Sequence, residues 1–91
     1  MVKYFAKVRE ITKKKEEKIP IRSPITVDEF LSELFSRYGY QLEEFVMQNK
    51  LTLKKNIGIL LNGSPLNRNN TRDTYLSNRD EFVILPPISG G

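Results

Sequence analysis

The 91-residue chain fits one domain, and at that length roughly 60 to 65% of the unfolded surface is buried on folding, enough for one modest core. Charged residues make up 29% of the chain and the formal net charge is +4, with both signs mixed along its length, so acidic or phosphate-bearing partners are admitted but none is selected. Cysteine and histidine are both absent, which excludes a thiol nucleophile, a disulfide, an imidazole base and the usual soft metal ligands. No metal site and no bound cofactor are expected. No apolar run approaches the ~18 to 20 residues that span a bilayer, and Met1 leads into Val2-Lys3-Tyr4-Phe5 without a signal-peptide pattern, so a cytoplasmic protein away from membranes is expected.

Residues 2 to 9, VKYFAKVR, alternate as a first strand with Val2, Tyr4, Ala6 and Val8 towards a core and Lys3, Phe5, Lys7 and Arg9 towards solvent. Phe5 is then an exposed aromatic among basic residues. Residues 10 to 17, EITKKKEE, read as a hairpin connection; no aromatic interleaves with Lys13, Lys14 and Lys15, and Glu16 and Glu17 follow them, so no nucleic-acid partner is expected. Residues 18 to 22, KIPIR, suggest a second strand that Pro20 confines to an edge.

After the turn at Ser23-Pro24-Ile25, Thr26-Val27-Asp28-Glu29 forms a capping box, with Thr26 as N-cap and Glu29 reaching back from the third helical position. Val27, Phe30, Leu31, Leu34, Phe35 and Tyr38 then make one apolar stripe on a helix that Gly39 closes in the left-handed conformation, and an aromatic stripe of this kind is a core face. Leu42, Phe45 and Val46 repeat the spacing in a short helix near residues 41 to 48. Residues 56 to 63, NIGILLNG, read as a central strand ending in an Asn-Gly turn. Residues 64 to 80 are rich in turn formers and wrap the surface, anchored by Leu66, Tyr75 and Leu76.

The final strand runs from Glu81 to Leu85, with Phe82 and Ile84 towards the helix and Val83 and Leu85 on the outer face. Phe5, Leu60, Val83 and Leu85, with Leu66 nearby, then form an exposed apolar patch rimmed by charge. Such a patch marks a protein partner.

Residues 1 to 85 form the domain and residues 86 to 91 a tail. Pro86 and Pro87 fix φ and remove two backbone donors, so pairing stops and a stiff root is expected. Ile88 and Ser89 lead to Gly90 and Gly91, and a carboxylate on Gly-Gly can enter a channel too narrow for any Cβ. That suits a carboxylate on which another protein does chemistry.

Two early strands, one capped helix and two later strands make an α+β, helix-on-sheet fold, in an order that resembles the β-grasp (ubiquitin-like) roll, a mixed sheet covered by one main helix. Tyr4-Phe5-Ala6 with Arg9-Glu10, Thr26-Val27, Leu61-Asn62-Gly63, and Asp80-Glu81-Phe82 running into Pro86-Pro87-Ile88-Ser89-Gly90-Gly91 together resemble the ubiquitin-like sulfur carriers that serve as small subunits of molybdopterin synthase. Ser77-Asn78-Arg79 departs from the usual Gly-Asp turn before the last strand.

The resemblance implies a division of labour. A ubiquitin-activating-type adenylyltransferase uses ATP to adenylate Gly91, and a persulfide donor supplies the sulfur of a terminal thiocarboxylate. The tail then enters the molybdopterin synthase large subunit and donates that sulfur for the dithiolene that holds molybdenum or tungsten. Such a carrier is no enzyme on its own. The resemblance also implies that Phe5, Leu60 and Leu85 lie on the docking surface, with Arg9 as a basic contact. Three other functions share the same features: a ubiquitin-like modifier conjugated to lysines, a sulfur carrier for thiamine or tRNA thiolation, and a binding module with no tail chemistry.

Overall fold

The structure, a computed structural model, describes residues 1–49 and 52–85, and the tail read from the sequence at 86 to 91 lies outside the described residues. The expected first strand is shorter than its alternation suggested. Strand β1 is Val2–Tyr4, and helix α1, Ala6–Thr12, begins two residues later. Val8, which ends the apolar side of the two-residue period, also opens a helical face with Ile11 and Thr12 at i+3 and i+4. Packing decides between the two: Val8 and Thr12 are buried from the helix and Ile11 packs on the core, while Ala6 is exposed. Lys13 ends α1 in the left-handed conformation and donates its N–H to the Arg9 carbonyl at 2.7 Å.

Strand β2 is Glu16–Glu17, antiparallel to β1, so the second strand falls on the charged residues rather than on 18 to 22. The short β1 offers few pairing positions, and Val2 takes Glu17 as its partner. Ile19 is buried without belonging to a strand, and Pro20 is exposed.

Strand β3, Ile25–Thr26, leads directly into helix α2, Val27–Tyr38. The capping box is present in full: the Glu29 N–H donates to Thr26 Oγ1 at 3.1 Å, and the Thr26 N–H donates to Glu29 Oε1 at 2.8 Å. These bonds favour the Glu29 carboxylate and hold its pKa below the ordinary value. Thr26→Ala is expected to lower stability by about 1 kcal/mol, read as a shift of the denaturant midpoint at constant slope. Gly39 closes α2 at φ 87° as glycine can, but its ψ of −174° is extended rather than left-handed helical. The reason is continuity, since Gly39 also starts helix α3, Tyr40–Val46, and must swing the chain into a new axis.

Strand β4 is Gly58–Leu61, and Asn62 and Gly63, at φ 52° and 84°, make the tight turn into strand β5, Ser64–Pro65. A 3-10 turn at Arg68–Asn70 follows, then strand β6, Tyr75–Leu76, which pairs with β3. Strand β7 is Phe82–Leu85. The main sheet runs β2-β1-β7-β4-β5, with β7 parallel to β1 and antiparallel to β4. Helix α2 packs its stripe of Val27, Phe30, Leu31 and Leu34 into the core formed with Val2, Tyr4, Ile59, Phe82 and Ile84. The Phe30 and Phe82 rings meet edge to face, centroids 5.0 Å apart. This is the β-grasp roll that the sequence resembled. Among the described residues, no helix is long and apolar enough to cross a membrane.

One polar cluster ties the early strands to α2. Glu17 accepts a hydrogen bond from the Tyr4 hydroxyl at 2.6 Å and another from the Tyr38 hydroxyl, and Lys14 Nζ lies 3.3 Å from its second oxygen. Burial raises the Glu17 pKa, but the Tyr38, Tyr4 and Lys14 contacts favour the charged form more strongly and leave it below the usual glutamate value. Because the folded-state pKa is lowered, this contribution is complete above the unfolded value of about 4.3 and is lost as pH falls through the folded one. Stability should therefore decline below about pH 4 to 5. Glu17→Gln should flatten that acid limb in denaturant titrations; an unchanged limb would assign it to other carboxylates.

Candidate functional site

The site is built on the outer face of the sheet, opposite α2, and its geometry follows from strand register. Lys3, Val83, Leu60 and Pro65 form one row across β1, β7, β4 and β5. In the next row Leu85 pairs with Gly58, and Phe5, one residue beyond the Tyr4–Ile84 pair and in extended conformation, comes level with Leu85. Leu60 and Leu85 are half-buried, and Phe5 is 37% exposed.

One placement differs from the expected patch. Val83 is only 5% exposed, because β7 lies inside the sheet with Lys3 on one flank and Leu60 on the other. Leu66 is half-buried like Leu60 and Leu85 and lines one groove with them, its N–H donated to the Ile59 carbonyl at 2.8 Å and its side chain packed partly against the core. The accessible apolar surface is thus Phe5, Leu60 and Leu85, with Leu66 beside them. Arg9 lies on α1 rather than on a strand, yet α1 returns it to the same place. Its guanidinium carbon sits 5.6 Å from the Phe5 ring centroid, and its Nε donates to the Tyr4 carbonyl at 3.3 Å. Lys3 and Glu81 pair at 3.2 Å on the same face, giving it a charged edge.

The start of β7 is fixed by residues of the sequence motif. Asn62 donates its N–H to the Glu81 carbonyl at 2.8 Å, accepts the Glu81 N–H on Oδ1 at 2.9 Å, and donates Nδ2 to Asp80 at 3.0 Å. Asp80 also accepts the Ser77 N–H at 2.8 Å. These bonds, the Asn62 amide first, hold the Asp80 pKa below the usual aspartate value. Leu61-Asn62-Gly63 and Asp80-Glu81 are therefore two halves of one staple that sets where β7 begins. Ser77-Asn78-Arg79 supports the staple through the Ser77 N–H, and Asn78 Oδ1 accepts the Ile21 N–H at 2.9 Å.

Chemically this face offers apolar surface and a charged edge, which suit binding. No cluster that could hold a metal occurs among the described residues. Pro86, Pro87, Ile88, Ser89, Gly90 and Gly91 lie outside the described residues. Sequence reasoning missed the Glu17 cluster and an arginine, Arg68, whose contacts are described below. Neither has a local signal, because the partners are far away in the chain.

The ThiS family model matches residues 2–91. The molybdopterin synthase sulfur carrier subunit of Drosophila erecta is 32% identical over 91 residues, spanning 99% of this chain and 88% of that protein. Among solved structures, SAMP1 from Haloferax volcanii superposes with a TM-score of 0.80 at 26% identity, covering 99% of this chain and 96% of the other. The small archaeal modifier protein 1 from Methanosarcina acetivorans gives 0.75 at 30% identity, covering 99% and 93%. With the family match running through the Gly-Gly motif to Gly91, this chain belongs to the ThiS family.

Proposed function

We propose that this chain is a ubiquitin-like sulfur carrier for molybdopterin synthesis, acting as the non-catalytic small subunit of molybdopterin synthase. The observation that carries this reading is the family match over residues 2–91, joined to a relative named as a molybdopterin synthase sulfur carrier subunit along nearly the whole chain.

The proposed chemistry is divided between partners. The Gly91 carboxylate attacks the α-phosphate of ATP on an adenylyltransferase, giving the acyl adenylate and pyrophosphate. A persulfide sulfur on a donor protein displaces AMP, and a thiol cleaves the resulting S–S bond to release the thiocarboxylate, itself becoming a disulfide. Apart from the Gly91 carboxylate, which is the nucleophile of the first step, this chain contributes no base, metal or cofactor to these steps. Its parts are the outer face of Phe5, Leu60 and Leu85 with Arg9 for docking, and Pro86 to Gly91 for delivery into a large subunit. Its lack of cysteine is no obstacle, since the sulfur is carried on a main-chain carboxyl. Incubation with ATP, the adenylyltransferase and a persulfide donor should add about 16 Da to the intact chain, the sulfur-for-oxygen difference. No gain with a partner set that loads another carrier would defeat the reading.

Likeness to the archaeal modifier proteins supports a second reading, since the same adenylated Gly91 could be passed to lysine amines instead of sulfur. Ser89-Gly90-Gly91 remnants on lysines of cellular proteins are the signature to look for by peptide mass spectrometry.

A further inference from the structure

Arg68 opens the 3-10 turn and directs its whole guanidinium fork at backbone. Nη1 donates to the Lys54 carbonyl at 3.0 Å, and Nη2 donates to the Lys55 and Ile57 carbonyls at 2.9 and 3.0 Å. Those carbonyls belong to the turn that feeds β4, a turn also closed by the Ile57 N–H on the Lys54 carbonyl at 3.2 Å. The next residue, Gly58, pairs with Leu85, the last described residue before Pro86. Gly58 and Leu85 are in van der Waals range: a Cβ on Gly58 would lie 3.6 Å from Leu85 Cδ1. Arg68, Gly58 and Leu85 line one groove of about 220 Å³, with Leu60 and Leu66 on its walls.

An exposed arginine usually faces water or a carboxylate. Here a planar fork bridges three acceptors at once, a geometry that a lysine ammonium, a single point of charge, does not reproduce.

We propose that Arg68 is a positioning residue for the end of the strand that carries the tail: it fixes the 54 to 57 turn, the turn fixes Gly58, and Gly58 fixes the direction in which β7 ends at Leu85. The proposal rests on the carrier reading, because direction matters only if the terminal carboxylate must meet a reactive centre on a partner. Docking through Phe5, Leu60 and Leu85 sets how often the body binds. Tail direction sets how often a bound body reacts, and a misplacement of about 1 Å can cost two orders of magnitude in rate. Loss of the clamp should therefore lower kcat and spare KM.

The test follows adenylation of the full chain by its adenylyltransferase, by ATP–pyrophosphate exchange well below the melting temperature, together with amide hydrogen exchange. Arg68→Ala should lower kcat roughly 10-fold while KM stays within about twofold. Arg68→Lys, which keeps the charge and removes the fork, should fall between Arg68→Ala and the unaltered chain. Exchange should quicken at Gly58 and Leu85 in Arg68→Ala but not at Phe30 or Leu34 of α2. An unaltered kcat in a folded variant of an otherwise active chain overturns the positioning role, as does unaltered exchange at Gly58 and Leu85. If Arg68→Ala does not fold, equality of Arg68→Lys with the unaltered chain in both measurements has the same force. If the unaltered chain is not adenylated at all, the carrier reading fails first and the positioning role fails with it.

Discussion

A chain shortened by Gly90 and Gly91 is expected to take up no sulfur, with loss of the ~16 Da gain complete rather than partial. The reacting carboxyl would then sit on Ser89, two residues short of the reactive centre and next to a side chain that a Cβ-excluding channel rejects. Stability should not change, because the core is built from residues between Val2 and Ile84. Affinity for a large subunit should fall only by the part due to the tail, since Phe5, Leu60 and Leu85 remain. Melting temperature, large-subunit affinity and intact mass together separate the carrier from a plain binding module: a module keeps its activity after truncation, and a carrier keeps its fold and docking but loses transfer. Gly91→Ala is the finer version. One added methyl should impair loading without touching the melting temperature, and normal loading would contradict the narrow channel.

Phe82→Ala is expected to have the largest effect on the fold. The ring is 2% exposed, meets Phe30 edge to face, and lies on the strand between β1 and β4. Its removal should cost about 3 to 5 kcal/mol through lost transfer energy and the cavity left behind. Against a total of roughly 5 to 15 kcal/mol for a domain, that is a large fraction. At about 4 to 8 °C per kcal/mol for a chain of this size, the melting temperature should fall by roughly 12 to 40 °C. Leu60→Ala, half-buried on the opposite face, should move it far less. If the two variants melted alike, the core would not lie on the α2 side of the sheet.

How much of this was legible in the sequence depends on whether a signal was local. The capping box needed only Thr26 and Glu29, three residues apart, and α2 followed from its own stripe. The Asn62-Gly63 turn and the last strand were equally self-contained. The expected first strand, residues 2 to 9, is too long because Ala6 and Val8 continue its two-residue period while Val8 also fits a helical face with Ile11 and Thr12, and only burial of Val8 and Thr12 from a helix decides between them. Strand β2 was displaced because Glu16 and Glu17 look like loop residues until Val2, Tyr4 and Tyr38 are brought beside them. The outer patch was legible in composition but not in exposure: alternation places Val83 outwards, and only strand order shows that its neighbours cover it. Arg68 was unreadable, since its acceptors are backbone carbonyls 11 to 14 residues away.

The position of β7 has a consequence for how such a chain comes into being. The strand that leads to the tail must slot between β1 and β4, and its parallel partner β1 lies far from it in sequence. Pairing Val2 with Phe82 closes a loop of nearly the whole chain, an entropically costly, long-range event of the kind that slows folding. Until that closure the outer rows have no middle strand and Gly58 has no Leu85 beside it. The outer face therefore takes shape only with the complete sheet, so a misfolded copy presents neither that face nor the paired end of β7.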